Sequence, residues 1–413
     1  MVQTVGCDLG SQKTVIVADD ADLVLTSTGG ISRPTLIAFF GRTRLVGEGA
    51  APQISGDATV PMLNTLLGRN EEDVKSNEFS RHRKVAIRSD DGGRLVADVQ
   101  YCDDLKTMHV TSLLGMFLAK EIERVKEVYP QPDLRLAFAV PPNSTPSTKR
   151  AILEACTIAG MDLSTVSIVD SADGLVAAYT RKLAALKGND RTNLESKRVL
   201  LVEMGHTQST VVVADIGAFD SNPSVGPSVQ KVVVEHDHDL GALHFDLKLF
   251  DHFAVICAQK NGGETIVPGS KRGQRLLLGC ERIRKLLSQL PESSITVENM
   301  TDAGDVSFTL KRDGMHTTCL TCLIIRSNLP FSSLFPFSSL RSFSLLCFAP
   351  SLRFVQVMCR SVATIQSLAY QSINRSRRCG GHCCCGGVRW WGAYAGGASG
   401  GAAGGGGSAA IGG

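Results

Sequence analysis

The chain has 413 residues, 43% hydrophobic and 20% charged, an ordinary composition for a globular protein with room for two or three domains. All 40 acidic residues lie within 1–313, and eight arginines are the only Asp, Glu, Lys or Arg residues of 314–413. This distribution predicts an acidic folded body and a separate tail. It argues against a nucleic-acid partner, since the arginines of the tail follow no regular spacing.

Several protein classes are excluded by pattern. The first residues form a strand pattern without the basic and apolar regions of a secretory signal. The longest uncharged apolar run, 327–340, is too short and too rich in Ser and Pro to cross a bilayer. The cysteines of the body stand singly in apolar surroundings, which is typical of reduced thiols. We therefore expect a cytoplasmic protein with no membrane partner and no disulfide framework.

In chain order, the first half alternates between strand and helix patterns. Apolar residues with period two indicate strands, and apolar residues three and four apart indicate helices. The predicted elements are strands over 2–40, a helix over 104–129 ended by Pro130, a strand over 134–142, a helix over about 147–160, and a strand–helix pair over 166–186. Strands alternating with helices predict an α/β lobe over 1–186.

After a polar linker at 187–197, the same order of elements begins again. The predicted elements are hairpin strands over 198–215 and 230–236, helices over about 241–260 and 271–289, and short strands to 310. They predict a second, incomplete lobe over 187–313, with unpaired sheet edges. The remaining 314–413 has no period and ends in Gly and Ala, which predicts a disordered tail.

Two stretches have the same pattern, VGCDLGSQKTVIVAD near the start and LVEMGHTQSTVVVAD in the second lobe. In each, a carboxylate (Asp8 or Glu203) precedes an apolar residue, a glycine (Gly10 or Gly205) and small polar residues. Such a turn directs N–H groups and hydroxyls at an anion, and the carboxylate can hold Mg²⁺ or its waters. One such turn is usually only a turn. The pair predicts a clamp around the phosphates of a nucleotide.

These stretches, with SRPTLIAF, RLVGEGA, LAFAVP, EACTIAGMD, DHDLGALHFD and GCERIRKLLS, resemble the Hsp70 heat-shock chaperone family over residues 2–311. The resemblance implies an actin-like ATPase fold with two lobes around a nucleotide cleft. Gln12 and the MGH at 204–206 are most similar to the large Hsp110 branch, known as nucleotide-exchange partners and holdases. The implied ligands are ATP or ADP and Mg²⁺. The implied partners are the conventional Hsp70 chaperone and, if a substrate domain exists, unfolded polypeptides.

The resemblance also implies a site made of both turns and one helix. Asp8 would hold Mg²⁺ through water, and Asp8 and Glu203 would be the catalytic carboxylates. The phosphates would be bound by turn residues: Gly10, Ser11, Gln12, Gly205, His206 and Thr207. The adenosine would be held by a stripe at i, i+3, i+4 and i+7 of a helix: Glu281, Arg284, Lys285 and Ser288. Helical geometry alone favours a solvated face with a Glu281–Lys285 ion pair instead.

Much of the family's hydrolytic set is replaced. The replacements are Asn64 for a lysine, Ser171 for a glutamate, Glu203 and Thr210 for aspartates, and His206 for a glycine. Asp170 and Asp173 flank the position of the missing glutamate. Each lost transition-state group typically costs about 10²–10³ in rate, so efficient ATP hydrolysis is not expected.

Three hypotheses remain open from the sequence. The first is a nucleotide-binding chaperone or co-chaperone that promotes nucleotide exchange. The second is a weak ATP hydrolase that uses Asp8, Glu203 and either Asp170 or Asp173. The third is a non-functional product of a truncated or mis-spliced gene model. Metal sites at 235–239 and in the cysteine-rich tail are weaker alternatives, because a solvated turn and a coil explain them.

Overall fold

The computed structural model describes residues 3–18, 22–130, 134–142, 144–185, 196–218, 227–260, 263–302, 304–315 and 344–347. All of them fall within one unit, Met1–Ile373. A second unit, Asn374–Gly413, lies outside the described residues, as do the predicted linker up to residue 195 and most of the predicted disordered tail. Strands and helices alternate along the described chain, which confirms the α/β class.

The described chain contains the following strands in order: β1 (Gln3–Leu9), β2 (Lys13–Val17), β3 (Arg33–Pro34), β4 (Leu36–Phe40), β5 (Thr43–Val46), β6 (Thr59–Pro61), β7 (Ala86–Ser89), β8 (Leu95–Tyr101), β9 (Asp104–His109), β10 (Leu134–Val140), β11 (Val166–Asp170), β12 (Lys197–Met204), β13 (Ser209–Ile216), β14 (Val229–Asp237), β15 (Glu292–Thr301), β16 (Gly304–Lys311) and β17 (Ser344–Cys347). Its α-helices are α1 (Glu71–Ser76), α2 (Val110–Val128), α3 (Pro146–Ile158), α4 (Ser171–Ala185), α5 (Ala242–Lys260) and α6 (Lys271–Leu287).

The first sheet has the order β11-β10-β1-β2-β3, with β1, β10 and β11 parallel and the β1–β2 hairpin antiparallel. Alternate residues of β1, Val5, Cys7 and Leu9, are buried in the largest apolar core. The same core contains the apolar stripe of α2, including Leu113 and Phe117, whose helical spacing brings them to one face. This packing fixes the position of the turn that follows β1.

The second sheet has the order β14-β13-β12-β17 and begins with the β12–β13 hairpin. Strand β17 pairs in parallel with β12, from Val199 opposite Ser344 to Val202 opposite Cys347. We expected no structure beyond residue 313 and an unpaired sheet edge here. That expectation is wrong for Ser344–Cys347, because four residues of the predicted tail supply backbone partners to β12.

The predicted helix over 104–129 is wrong in its first six residues. Asp104–His109 forms β9, which pairs antiparallel with β8, and α2 begins only at Val110. The connecting residues Cys102 and Asp103 both have positive φ (55° and 65°), as the two central residues of a tight hairpin turn require. Neither residue is glycine or asparagine, so the usual local signal for such a turn is missing.

Helix α4 and the 3-10 segment before β7 both contact elements from the second half of the chain. The apolar face of α4, including Val176 and Tyr179, packs against the second sheet even though the predicted boundary places this helix in the first lobe. The 3-10 segment Glu78–His82 contacts α5, because Arg81 forms an ion pair with Asp251 at 2.7 Å. The buried His82 ring also meets Phe250, with ring centroids 4.6 Å apart. These contacts hold the following residue, Arg83, at the junction.

Candidate functional site

The first turn, Gly10–Gln12, is fixed by hydrogen bonds on both sides. Asn64 Nδ2 donates to the carbonyl of Leu9 at 2.7 Å, and the backbone N–H of Thr35 donates to the carbonyl of Gln12 at 2.8 Å. A Cβ at Gly10 would lie 2.4 Å from the carbonyl oxygen of Lys13, so only glycine permits this backbone path. Asn64 therefore holds the turn and contributes no charge.

The second turn, 205–208, is bound to the start of α5. The N–H of Gly205 donates to the carbonyl of Gln208 at 2.8 Å, closing the turn. Its carbonyls at Gly205 and His206 accept from the N–H groups of Ala242 (3.0 Å) and Leu243 (2.7 Å). Because the first N–H groups of a helix have no partner within the helix, the turn satisfies two of them and is held in place.

The two turns face each other. The hydroxyls of Ser11 and Thr207 share a hydrogen bond of 2.6 Å, although 196 residues separate them. Next to this contact, Gln12 Nε2 donates to Glu281 Oε1 at 2.8 Å and links the first turn to α6. The structure therefore brings together both turns and Glu281 of the helical stripe.

The two predicted carboxylates lie close enough for the charge of Asp8 to affect the ionisation of Glu203. Burial and the negative charge of Asp8 raise the pKa of Glu203 to about 7. Desolvation also raises the pKa of Asp8, whose side chain is solvent-accessible but surrounded by protein atoms. Two neighbouring carboxylates in a poorly solvated site repel each other unless a cation lies between them. Their hard oxygen ligands suit Mg²⁺.

Replacing Glu203 with Gln should stabilise the cation-free protein by roughly 1–3 kcal/mol above pH 7, because the neutral amide has no charge to desolvate and feels no repulsion from Asp8. The folded pKa is about 7 and the ordinary value is 4.5. The gain should therefore be absent below pH 4.5, grow as pH rises to 7, and stay constant above that. Chemical denaturation in EDTA across this interval measures it.

Glu298→Gln, which changes an exposed residue of β15, is the matched control and should show no pH-dependent gain. Saturating Mg²⁺ should reduce the difference between Glu203→Gln and wild type. A Glu203→Gln variant that is no more stable than wild type above pH 7 would show that the folded protein does not disfavour the charged form of Glu203.

The helical stripe on α6 makes mostly internal contacts. Glu281 pairs with Lys285 as well as with Gln12, and Ser288 donates from Oγ to the carbonyl of Lys285 at 2.6 Å. Arg284 is directed elsewhere: its guanidinium holds the buried Asp246 of α5 through two hydrogen bonds, of 2.6 and 3.0 Å. The stripe thus exists, but one of its four members contacts α5.

His206 of the second turn lies close to the charged residues of this stripe. Burial lowers the pKa of His206 to about 4, and the neighbouring charges are those of Glu281, Arg284, Lys285 and His244. The imidazole is therefore neutral at pH 7 and fills part of the space between the second turn and α6.

Three further residues that the resemblance singled out, Thr210, Asp170 and Asp173, have structural partners. Thr210 shares a hydrogen bond of 3.1 Å with His236 Nδ1. Asp170 Oδ1 accepts from the N–H of Ala172 at 2.8 Å at the start of α4, and Asp173 forms an ion pair with Lys231. Both candidate carboxylates for hydrolysis thus have contacts that stabilise α4 and its neighbours.

A cavity of about 510 Å³ lies beside the turns. Of the predicted nucleotide residues, only Ser11 and Thr207 line it. Sequence reasoning missed two cations on its wall, Arg69 and Arg83, because only the tertiary contacts of the segment before β7 bring them there. The basic SRHRK sequence around Arg83 was the only available signal, and charged runs of this kind are usually solvated.

Within the described ranges, no three His, Cys, Asp or Glu side chains form a cluster able to bind a metal ion, and the 235–239 segment is no exception. Among the helices of the same residues, none combines the length and apolar character needed to cross a bilayer.

Comparisons with known proteins all indicate the same family. The model of the Hsp70 protein family matches residues 4–341. Heat shock 70 kDa protein 16 of Arabidopsis thaliana is 25% identical over 318 residues, covering 76% of this chain and 40% of that protein. Putative heat shock 70 kDa protein 7 of Homo sapiens is 26% identical over 323 residues, covering 76% and 82% respectively.

A heat shock protein homolog of Saccharomyces cerevisiae is 26% identical over 314 residues, covering 75% of this chain and 43% of that protein. This chain thus spans about two fifths of the length of the Arabidopsis and yeast relatives. Because the family model matches well over half of the sequence, the chain belongs to the Hsp70 family.

Proposed function

We propose that this chain binds ATP or ADP with Mg²⁺ between two lobes of an actin-like domain and promotes nucleotide exchange on a conventional Hsp70 chaperone. Hsp70 membership implies the actin-like ATPase fold and a chaperone kind of function. The observation that carries the proposal is the contact between the two matching turns, Ser11 to Thr207 at 2.6 Å. Turns that face each other can contact one polyphosphate from two sides.

The residues present fit Mg²⁺ and phosphate. Asp8 and Glu203 provide a pair of mutually repelling carboxylates that a divalent cation would neutralise. Gly10 gives the close backbone approach that a phosphate needs, and Gly205 begins the equivalent turn. When bound, Mg²⁺ would supply positive charge next to the phosphate oxygens, while Ser11 and Thr207 would donate from their hydroxyls.

The nucleoside would lie against α6. Gln12 and Lys285 both donate to Glu281 Oε1, next to the turns, so we assign these three residues to this end of the ligand together with Ser288. Arg284 is proposed to act indirectly, because its bond to Asp246 ties α6 to α5. His206 narrows the space between the second turn and α6, where the family's glycine has no side chain.

Hydrolysis is the less favoured function. Asn64 is used to hold the first turn, and Asp170 and Asp173 already stabilise α4. A bound nucleotide would therefore act as a structural ligand. The residual-ATPase alternative predicts phosphate release that falls in Asp8→Asn. We expect no phosphate release sensitive to this substitution.

The proposed partners and location follow from the family. The large branch, to which Gln12 and the MGH turn point, promotes exchange on conventional chaperones, so we propose a conventional Hsp70 chaperone as the partner and the cytoplasm as the location. Unfolded polypeptides would be further partners where a substrate domain is present. We also propose lobes at 1–186 and 187–313, with the second completed in part by β17.

The test measures release of fluorescent ADP from a conventional Hsp70 chaperone after mixing with excess ATP. We expect release to accelerate by about tenfold or more when this chain is added, since a lowering of the release barrier by about 1.4 kcal/mol gives a factor of ten. Calorimetric titration of this chain with Mg·ADP should show binding. If release stays at its basal rate and the titration shows no heat, the proposal is rejected.

A further inference from the structure

The cavity beside the turns is lined by Arg83, a half-buried cation with two buried nitrogen donors that make no hydrogen bond to the described residues. Arg83 Nε and Nη1 are both inaccessible to solvent and have no hydrogen-bond partner among the described residues. Its third nitrogen, Nη2, reaches Thr65 Oγ1 only at 3.4 Å. The guanidinium lies over the Phe79 ring, 5.4 Å from the ring centroid. Buried polar groups are nearly always hydrogen-bonded in folded proteins, so these donors need an explanation.

A second cation, Arg69, repels the guanidinium of Arg83 when no anion is bound. Arg69 lines the same cavity, and burial together with the charge of Arg69 lowers the pKa of Arg83 to about 10. Arg83 therefore keeps its positive charge at neutral pH. Two guanidinium groups that repel each other in a poorly solvated site are stabilised by an anion between or beside them.

The acidic residues on the cavity wall do not neutralise Arg83. Within the described residues, Arg83 forms no ion pair. Asp73 belongs to the capping box of α1, where it accepts from the N–H of Asn70. Glu78 and Asp239 have interactions of their own, and Asp239 lies 3.4 Å from His238 Nε2. The hydrogen-bond donors without a partner next to Thr65 therefore belong to the positively charged guanidinium of Arg83.

We propose that Arg83, assisted by Arg69, binds the phosphate end of a polyphosphate ligand in this cavity. Ser11 and Thr207, one from each turn, line the same cavity as the two arginines. Guanidinium groups bind phosphate oxygens through directional charge-assisted hydrogen bonds, which suits two arginines and several hydroxyls around one anion. Where the ligand is a nucleotide, this inference rests on the proposed function, and Arg83 supplies the positive charge that Asn64 does not.

The test compares a nucleotide with a free polyphosphate. Calorimetric titrations of the full chain with ATP and with inorganic tripolyphosphate are made on wild type, Arg83→Gln, Arg69→Gln and Arg44→Gln. Arg44 is exposed on β5 and does not line the cavity, so its variant is the matched control. Arg83→Gln should weaken both ligands by about tenfold or more, and Arg69→Gln by less, because charge-assisted hydrogen bonds are lost.

A melting-temperature measurement separates ligand binding from a structural role. In phosphate-free buffer Arg83→Gln should melt at or above the temperature of wild type, because it removes a buried unpaired charge. Tripolyphosphate should raise the melting temperature of wild type and of Arg44→Gln but not of Arg83→Gln. A lower melting temperature in phosphate-free buffer with unchanged binding would identify Arg83 as a structural residue and overturn the inference.

The outcomes distinguish this inference from the proposed function. Arg83-dependent binding of tripolyphosphate without binding of ATP would support the anion site and reject the nucleotide proposal. Equal affinity of ATP for wild type and Arg83→Gln would support the nucleotide proposal and reject the role of Arg83 in anion binding. Failure of wild type to bind either ligand would overturn both.

Discussion

Replacing Asp246 with Asn should cost about 3–5 kcal/mol of the free energy of unfolding, because it removes the carboxylate that neutralises the buried guanidinium of Arg284 and accepts two hydrogen bonds from it. The two side chains are only 2% and 11% exposed, and they are joined by two hydrogen bonds of 2.6 and 3.0 Å. Water cannot readily replace the lost carboxylate at such a position. Urea denaturation of the variant and the wild type measures the loss.

Asp215→Asn is a closely matched control. Asp215 also holds an arginine, Arg198, through two hydrogen bonds, each 2.6 Å long, but these side chains are 39% and 34% exposed. Exposed ion pairs contribute about 0–1 kcal/mol, so this variant should lose little stability. Equal losses in the two variants would contradict the argument that burial, and not pairing geometry, decides the cost.

Replacing Gly10 with Ala should destabilise the protein by about 1–3 kcal/mol and weaken Mg·ADP binding by at least about tenfold. The added Cβ would lie 2.4 Å from the carbonyl oxygen of Lys13, and this oxygen belongs to the backbone and cannot rotate away. The turn must therefore open, which moves Ser11 away from Thr207. Thermal unfolding and calorimetric titration give the two quantities.

Gly49→Ala serves as the control for the added methyl group. A Cβ at Gly49 meets nothing within 4 Å, so stability and nucleotide affinity should remain close to those of wild type. The account of the first turn is wrong if Gly10→Ala retains wild-type affinity for Mg·ADP.

The parts of the fold that local sequence specifies were predictable. The β1–β2 and β12–β13 hairpins follow from alternating apolar residues and a glycine turn, and their facing arrangement follows from the repeat. Asp104–His109 was predicted as helix because its pairing with β8 depends on a turn without the usual glycine. Strand β17 was missed because its partner, β12, lies far away in sequence. Pairing between distant strands leaves no regular spacing of apolar residues in the sequence of either strand that would reveal its partner.

The site was predictable in its turns and less so in its charges. Helical spacing correctly placed Arg284 on a stripe with Glu281, but spacing does not reveal that Asp246 of another helix holds its guanidinium. The resemblance singled out Asn64 as an uncharged residue, whereas its hydrogen bond to the carbonyl of Leu9 depends on the tertiary fold. Arg83 reaches the cavity through the packing of Glu78–His82 against α5. In each case a tertiary partner decides what a charged or polar side chain does.

A crystal structure of the full chain with Mg·ADP tests the central claim most directly. If the two turns together hold the polyphosphate, phosphate oxygens should lie within about 2.7–3.2 Å of N–H or hydroxyl donors from both Gly10–Gln12 and 205–208. A nucleotide bound to one turn alone, or bound away from both, would contradict the account.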